Sequence, residues 1–204
     1  LNQAFFFFVY QFYKDTELYT IIRNGDISYE LSRPKNMYFM WYFKCLGQRL
    51  SSVLMRFLPV ILITVFLPYP YNLGGAASLT NFIVFLISLI MGAFLVVTLT
   101  TLYPILTLMT MNEKGIVNVF MIIGDILSGL VIPVPFFPDF LKKISSLLPF
   151  QYISDLPFRI YVGDLSIAFG IKGIFVQFFW IFILIILGNI LLKRNLKRVV
   201  VQGG

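Results

Sequence analysis

From residue 53 to residue 192 the chain passes through one apolar stretch after another, with only short polar interruptions. That pattern constrains the fold more than anything else in the sequence. Hydrophobic residues make up 59% of the 204 and charged residues 12%, where a soluble domain carries about 45–50% and about 25%. No soluble core of ordinary size fits between the apolar runs, so most side chains must have lipid or other helices as their solvent. The expected fold is all-α: a polytopic integral membrane protein with about four full spans plus the end of a fifth.

The formal net charge is +7, but its placement argues against nucleic acid. The basic residues sit where the apolar runs end, which is where topology and anionic inner-leaflet lipid select for them. Membrane lipids are thus expected partners and nucleic acid is not. Cys45 is the one cysteine, and the chain has no histidine. An internal disulfide, a Cys/His metal site and His-dependent nucleophilic catalysis are therefore excluded.

Along the chain, residues 1–13 read as the end of a span, with Tyr10 and Tyr13 at headgroup level. Leu1 opens directly into a Phe-rich stretch and is expected to lie inside a helix that starts upstream. Residues 14–56 form the polar segment. Within it Lys44, Gln48, Ser52 and Arg56 recur every fourth residue, with Cys45, Leu46, Leu50, Val53 and Leu54 on the other side. Met37, Tyr38, Phe39, Trp41 and Tyr42 suit an interfacial helix feeding the next span. Residues 57–132 hold three spans, near 57–67, 82–109 and 116–132. Pro104 is a candidate kink, and Gly124 and Gly129 allow close helix approach. Residues 133–164 carry five prolines (133, 135, 138, 149 and 157) among both apolar and charged residues. A straight span cannot hold that mixture, whereas short re-entrant or surface helices can. The last span is 165–192, followed by a basic tail, 193–204.

Twelve of the sixteen Lys and Arg fall on the side that holds residues 14–56, the turn near 111–115 and the tail. That side is expected to be cytoplasmic, which places the proline-rich stretch outside and the C-terminus inside a plasma membrane, in a bacterial cell. The chain has neither a P-loop nor a Gly-x-Gly-x-x-Gly motif, so it is expected not to be an enzyme and to hold no cofactor. Asp125 is the lone acidic residue mapped into a span, a weak basis for a proton relay, which needs more than one such group. Lys172 is long enough to snorkel to the outer surface.

Two stretches carry a family resemblance. The run IIRNGDISYELSRP, residues 21–34, presents Ile22, Ile27 and Leu31 among charges, a composition suited to docking in a partner's groove. It resembles the cytoplasmic signature of ABC-2-type transporter permeases, in the ABC-2 family or viologen-exporter-like subgroup. The run LLPFQYISDLPFRIYVG, residues 147–163, is similar to the stretch before the last span of the same family. The resemblance covers nearly the whole chain. It implies a type V exporter-like transmembrane domain that lacks the family's N-terminal helix, first span and most of its second.

It also implies a permease subunit of an ATP-driven exporter for a drug, peptide or lipid-like substrate. Such a subunit works with a second permease copy or a related permease, and with cytosolic ABC ATPase subunits that hold the ATP and Mg. The ATPase-coupling role would fall on Ile22, Gly25, Asp26, Ile27, Glu30, Leu31 and Pro34. The extracellular gate would be the 138–163 hairpin, with Pro138, Leu148, Pro149, Phe150, Asp155, Pro157 and Gly163. The alternatives are an ion-coupled secondary transporter and a non-transporting membrane assembly or immunity protein.

Overall fold

The computed structural model describes residues 16–24, 27, 36–66, 75–110 and 113–197. The expected span end at 1–13, most of the 25–35 segment and the tail beyond 197 lie outside them. Among the described residues all regular structure is helical: α1 (Thr16–Asn24), α2 (Met37–Phe66), α3 (Leu79–Thr110), α4 (Glu113–Leu127), α5 (Asp139–Leu147), α6 (Asp155–Val162) and α7 (Ile167–Leu196). Single 3₁₀ turns precede α5 and α6, at Val134–Phe136 and Phe150–Tyr152. Two of these helices, α3 and α7, are long and apolar enough to cross a membrane.

Local chemistry sets several of the boundaries. Asn36 opens α2, its Oδ1 accepting from the Tyr38 N–H at 3.1 Å. Ser78 opens α3, its hydroxyl oxygen accepting from the Asn81 N–H at 3.1 Å, and Ser166 does the same for α7 with Phe169. Helix α3 runs on through Pro104. Thr98, Thr100, Thr101 and Thr107 each donate a hydroxyl to a carbonyl three or four residues back in the same helix. Buried threonines in an apolar helix are satisfied in this way without needing a neighbour.

Helix α3 is the column around which the others pack. Residues Leu95 to Ile105 are buried on every side of it, while Ile83, Ile87 and Ile90 leave an exposed face on its first half, and it meets α1, α2, α4, α6 and above all α7. A helix apolar all round is a core or membrane helix, and α3 is both. Helix α7 is the opposite case. It turns small residues inward and leaves Phe175, Phe178, Phe179, Phe182 and Ile190 exposed, a face that suits lipid.

Three sequence expectations meet differences here. The stretch read as interfacial and the short span after it form one unbroken 30-residue helix, α2. The apolar side read from the spacing is divided between core and surface: Val53 is buried, while Leu50 and Leu54 are exposed. Tyr38, Trp41, Tyr42, Arg49 and Val53 point into the bundle, while Phe39, Phe43, Leu50, Leu54 and Met55 are exposed. An outward apolar face with an inward arginine is the pattern a lipid surrounding selects. Finally, Gly129 lies outside the helix: at φ +77° it is in the left-handed region, just past the end of α4, and a Cβ there would come within 3.1 Å of Asp155 Cβ in α6. Helix α4 is therefore 15 residues long, short of the roughly 20 that a straight span takes.

Close approach is real at Gly188 on α7. A Cβ there would run into the Tyr38 ring of α2 and come within 3.1 Å of Leu102 Cδ2 on α3. The absent side chain lets three helices meet. Gly188→Ala is expected to cost about 1–3 kcal/mol through overpacking and to lower the thermal midpoint of the detergent-solubilised protein. Adding Tyr38→Leu should recover part of the loss.

Candidate functional site

The proline-rich stretch folds back onto the end of the bundle formed by the starts of α3 and α7. Its prolines break the chain into short pieces, so many backbone groups lose their helical partners and must find others. They find them on α3, α4 and α7. The Asn81 amide of α3 donates to the Ile160 carbonyl at 2.8 Å, and the Ala77 N–H donates to the Tyr161 carbonyl at 3.1 Å. Gln177 of α7, fully buried, donates from one Nε2 to both the Ser88 carbonyl at 2.9 Å and the Tyr152 carbonyl at 2.7 Å. The Ser88 hydroxyl returns a bond to Gln177 Oε1 at 3.3 Å. Ser145 of α5 donates to the Leu127 carbonyl at the end of α4 at 2.9 Å.

Asp155 organises the hairpin itself. Its N–H donates to the Ser128 carbonyl, and its Oδ1 accepts from the Val134 N–H at 3.3 Å. Its Oδ2 faces Arg159 Nη1 at 3.5 Å, while Arg159 Nε binds Asp164 Oδ2 at 2.6 Å. Burial pushes the Asp155 carboxyl above the usual carboxylate range, and Arg159 and the Val134 N–H offset this only in part.

The expected gate residues come together in this unit. Pro138 precedes α5 as its N-cap, Leu148 is its C-cap, and Pro149 and Phe150 are buried in the turn that follows. Asp155 and Pro157 are buried in the first turn of α6, which Gly163 ends at φ +83°. The coupling residues divide differently. Ile22 and Ile27 are buried in this chain's own core. Gly25, Asp26, Glu30, Leu31 and Pro34 lie outside the described residues. Helix α1 is further tied to α2 by Glu17 Oε2 and Lys44 Nζ, 2.8 Å apart.

Sequence reasoning missed Asn81, Gln177, Ser145 and Arg49. Gln177 had a visible signal, as an amide inside a long apolar run. Arg49 had been grouped with a polar segment, yet it is 4% exposed. It is an electrostatic neighbour of Tyr103 of α3, which in turn feels Asp125 of α4. The buried Tyr103 hydroxyl makes no hydrogen bond among the described residues. The neighbour that Asp125 acts on there is thus a phenol.

The helical bundle, its two long apolar helices and its outward apolar faces fit a membrane protein. Residues 4–203 match the family model for ABC-2 family transporter protein, and the chain belongs to that family. No curated protein and no solved structure matches it. The family makes the chain a permease of an ABC transporter and implies association with ABC ATPase subunits.

The raised Asp155 carboxyl has a pH consequence. The folded state favours the protonated form, so this stabilisation is complete below the ordinary value of 3.8 and is lost as pH rises through the raised value. Relative to Asp155→Asn, the wild-type thermal midpoint is expected to fall over that window. Parallel midpoint-against-pH curves for the two proteins would sink the assignment.

Proposed function

We propose that this chain is the membrane-spanning permease subunit of an ATP-driven exporter, with ATP and Mg held by separate cytosolic ATPase subunits. The observation that carries the reading is the family match across residues 4–203. The shape of the bundle supports it. The hairpin is fixed to the start of α3 through Asn81 and Ser88, and α1 packs on the same helix while paired to Lys44 in the first half of α2. A push on the 25–34 segment would reach α3 through Ile22 and Ile27, and α3 connects to the outer hairpin.

In this reading α2, α3, α4 and α7 supply four spans, with α4 crossing together with the 128–132 stretch that follows it. Residues 14–56 and the tail face the cytoplasm of a bacterial cell, and the hairpin narrows the outer exit. Two permease halves pair, and ATP-driven closure of the ATPases switches their packing. The chain itself hydrolyses nothing. The cargo is an amphipathic drug, a peptide or a lipid-like molecule.

Gentle detergent extraction is expected to recover an ABC ATPase with the permease. In the reconstituted complex, Leu31→Asp should leave insertion intact and reduce substrate-stimulated ATP hydrolysis to its basal rate. Full stimulation in that variant would remove the coupling role from the segment. Two buried polar side chains, Arg49 and Tyr103, with Asp125 acting on the second, favour one second reading, ion-coupled transport. Transport that persists after ATP depletion and collapses with the proton gradient would select it.

A further inference from the structure

Between α5, α6 and the start of α7 lies a cleft of about 390 Å³ that the hairpin's own packing does not fill. Pockets of this size hold small ligands or headgroups. One wall is cationic, formed by Lys142 and Arg159, and the other is apolar, formed by Leu156, Leu165 and Phe169. The two cations are reachable: the Lys142 side chain is 42% exposed and that of Arg159 is 30%.

The nearby carboxylates leave donors available. Asp155 is spent on the Val134 N–H and Arg159, and only 8% of its side chain is exposed. Asp164 takes Arg159 Nε, and Asp155 takes Nη1. Nη2 has no partner among the described residues. Asp139 lies 3.8 Å from Lys142, with 96% of its side chain in solvent, and a pair that open contributes little. The cleft thus offers a guanidinium edge, held in place by two carboxylates, and an ammonium free to swing toward it. That is a phosphate-binding arrangement.

The apolar wall says what carries the phosphate. Phe169, in the first turn of α7, is 54% exposed, so the apolar wall opens at the surface of the bundle. A headgroup seated against Lys142 and Arg159 would leave its acyl chains against Phe169 and Leu165, at the edge of α7. We propose that this cleft binds the phosphate of an amphiphile, namely a phospholipid of the surrounding leaflet. The site is independent of what the permease transports and in which direction.

The test uses the full chain in detergent, with bound lipid counted by native mass spectrometry during titration with phosphatidylglycerol, with diacylglycerol, and with inorganic phosphate as competitor. Phosphatidylglycerol should bind and diacylglycerol should not. Lys142→Glu should weaken binding about tenfold with an unchanged thermal midpoint, and Lys142→Gln serves if that variant folds poorly. Leu165→Gln should weaken the lipid alone. Inorganic phosphate that displaces the lipid and itself needs Lys142 would keep the phosphate chemistry and make a free anion the source. Equal binding of diacylglycerol, or phosphatidylglycerol binding indifferent to both Lys142 variants, overturns the proposal.

Discussion

A single amide holds the outer part of this bundle together. Gln177 lies in the middle of a helix whose other face is lined with exposed phenylalanines, yet it is fully buried and bonded to Ser88 and to the carbonyl of Tyr152. In an apolar surrounding an unpaired amide costs several kcal/mol. The alternative to this geometry is therefore expensive, and the packing of α3, α7 and the hairpin is specified more sharply than apolar contact alone would specify it. Asn81 and Ser145 repeat the principle at two further attachments of the hairpin. Lipid-facing proteins gain little from burying one apolar surface against another, so polar ties and small residues do the specifying.

The same logic accounts for which parts of the structure were legible in the sequence. Helices α3 and α7 announce themselves through length and hydropathy, and five prolines in the 133–164 stretch rule out a straight span there. Both readings depend on composition, which a change of solvent does not alter. For α2, amphipathic periodicity reports two faces without saying which is inward. In water the apolar face is the core face, whereas here Leu50 and Leu54 are outside and Arg49 is inside. The aromatic run at 37–42 suits an interface, and no local pattern in it shows that the helix continues unbroken to Phe66.

Gly129 and the pair Ile22 and Ile27 show a related ambiguity. A glycine near the end of an apolar run can ease a close approach or end the helix, and Gly129 does both. Two isoleucines among charged residues fit a partner's groove and this chain's own core equally well by composition. The pairing of Gln177 with positions 89 residues earlier and 25 residues earlier was not readable at all, since no local pattern encodes a contact between distant segments.

Pro104 gives this arrangement a mechanical character. Lacking an N–H, it removes one rung from the hydrogen-bond ladder of α3, at the carbonyl of Thr100, and a helix is softest where a rung is missing. Helix α7 is fastened to α3 on both sides of that joint, by Gln177 to Ser88 above it and by the Asn195 amide to the Ile105 carbonyl, 3.1 Å away, below it. It therefore acts as a splint. A bend of α3 at the joint has to shear one of those two fastenings, so the column either moves as a rigid strut or flexes by a definite step.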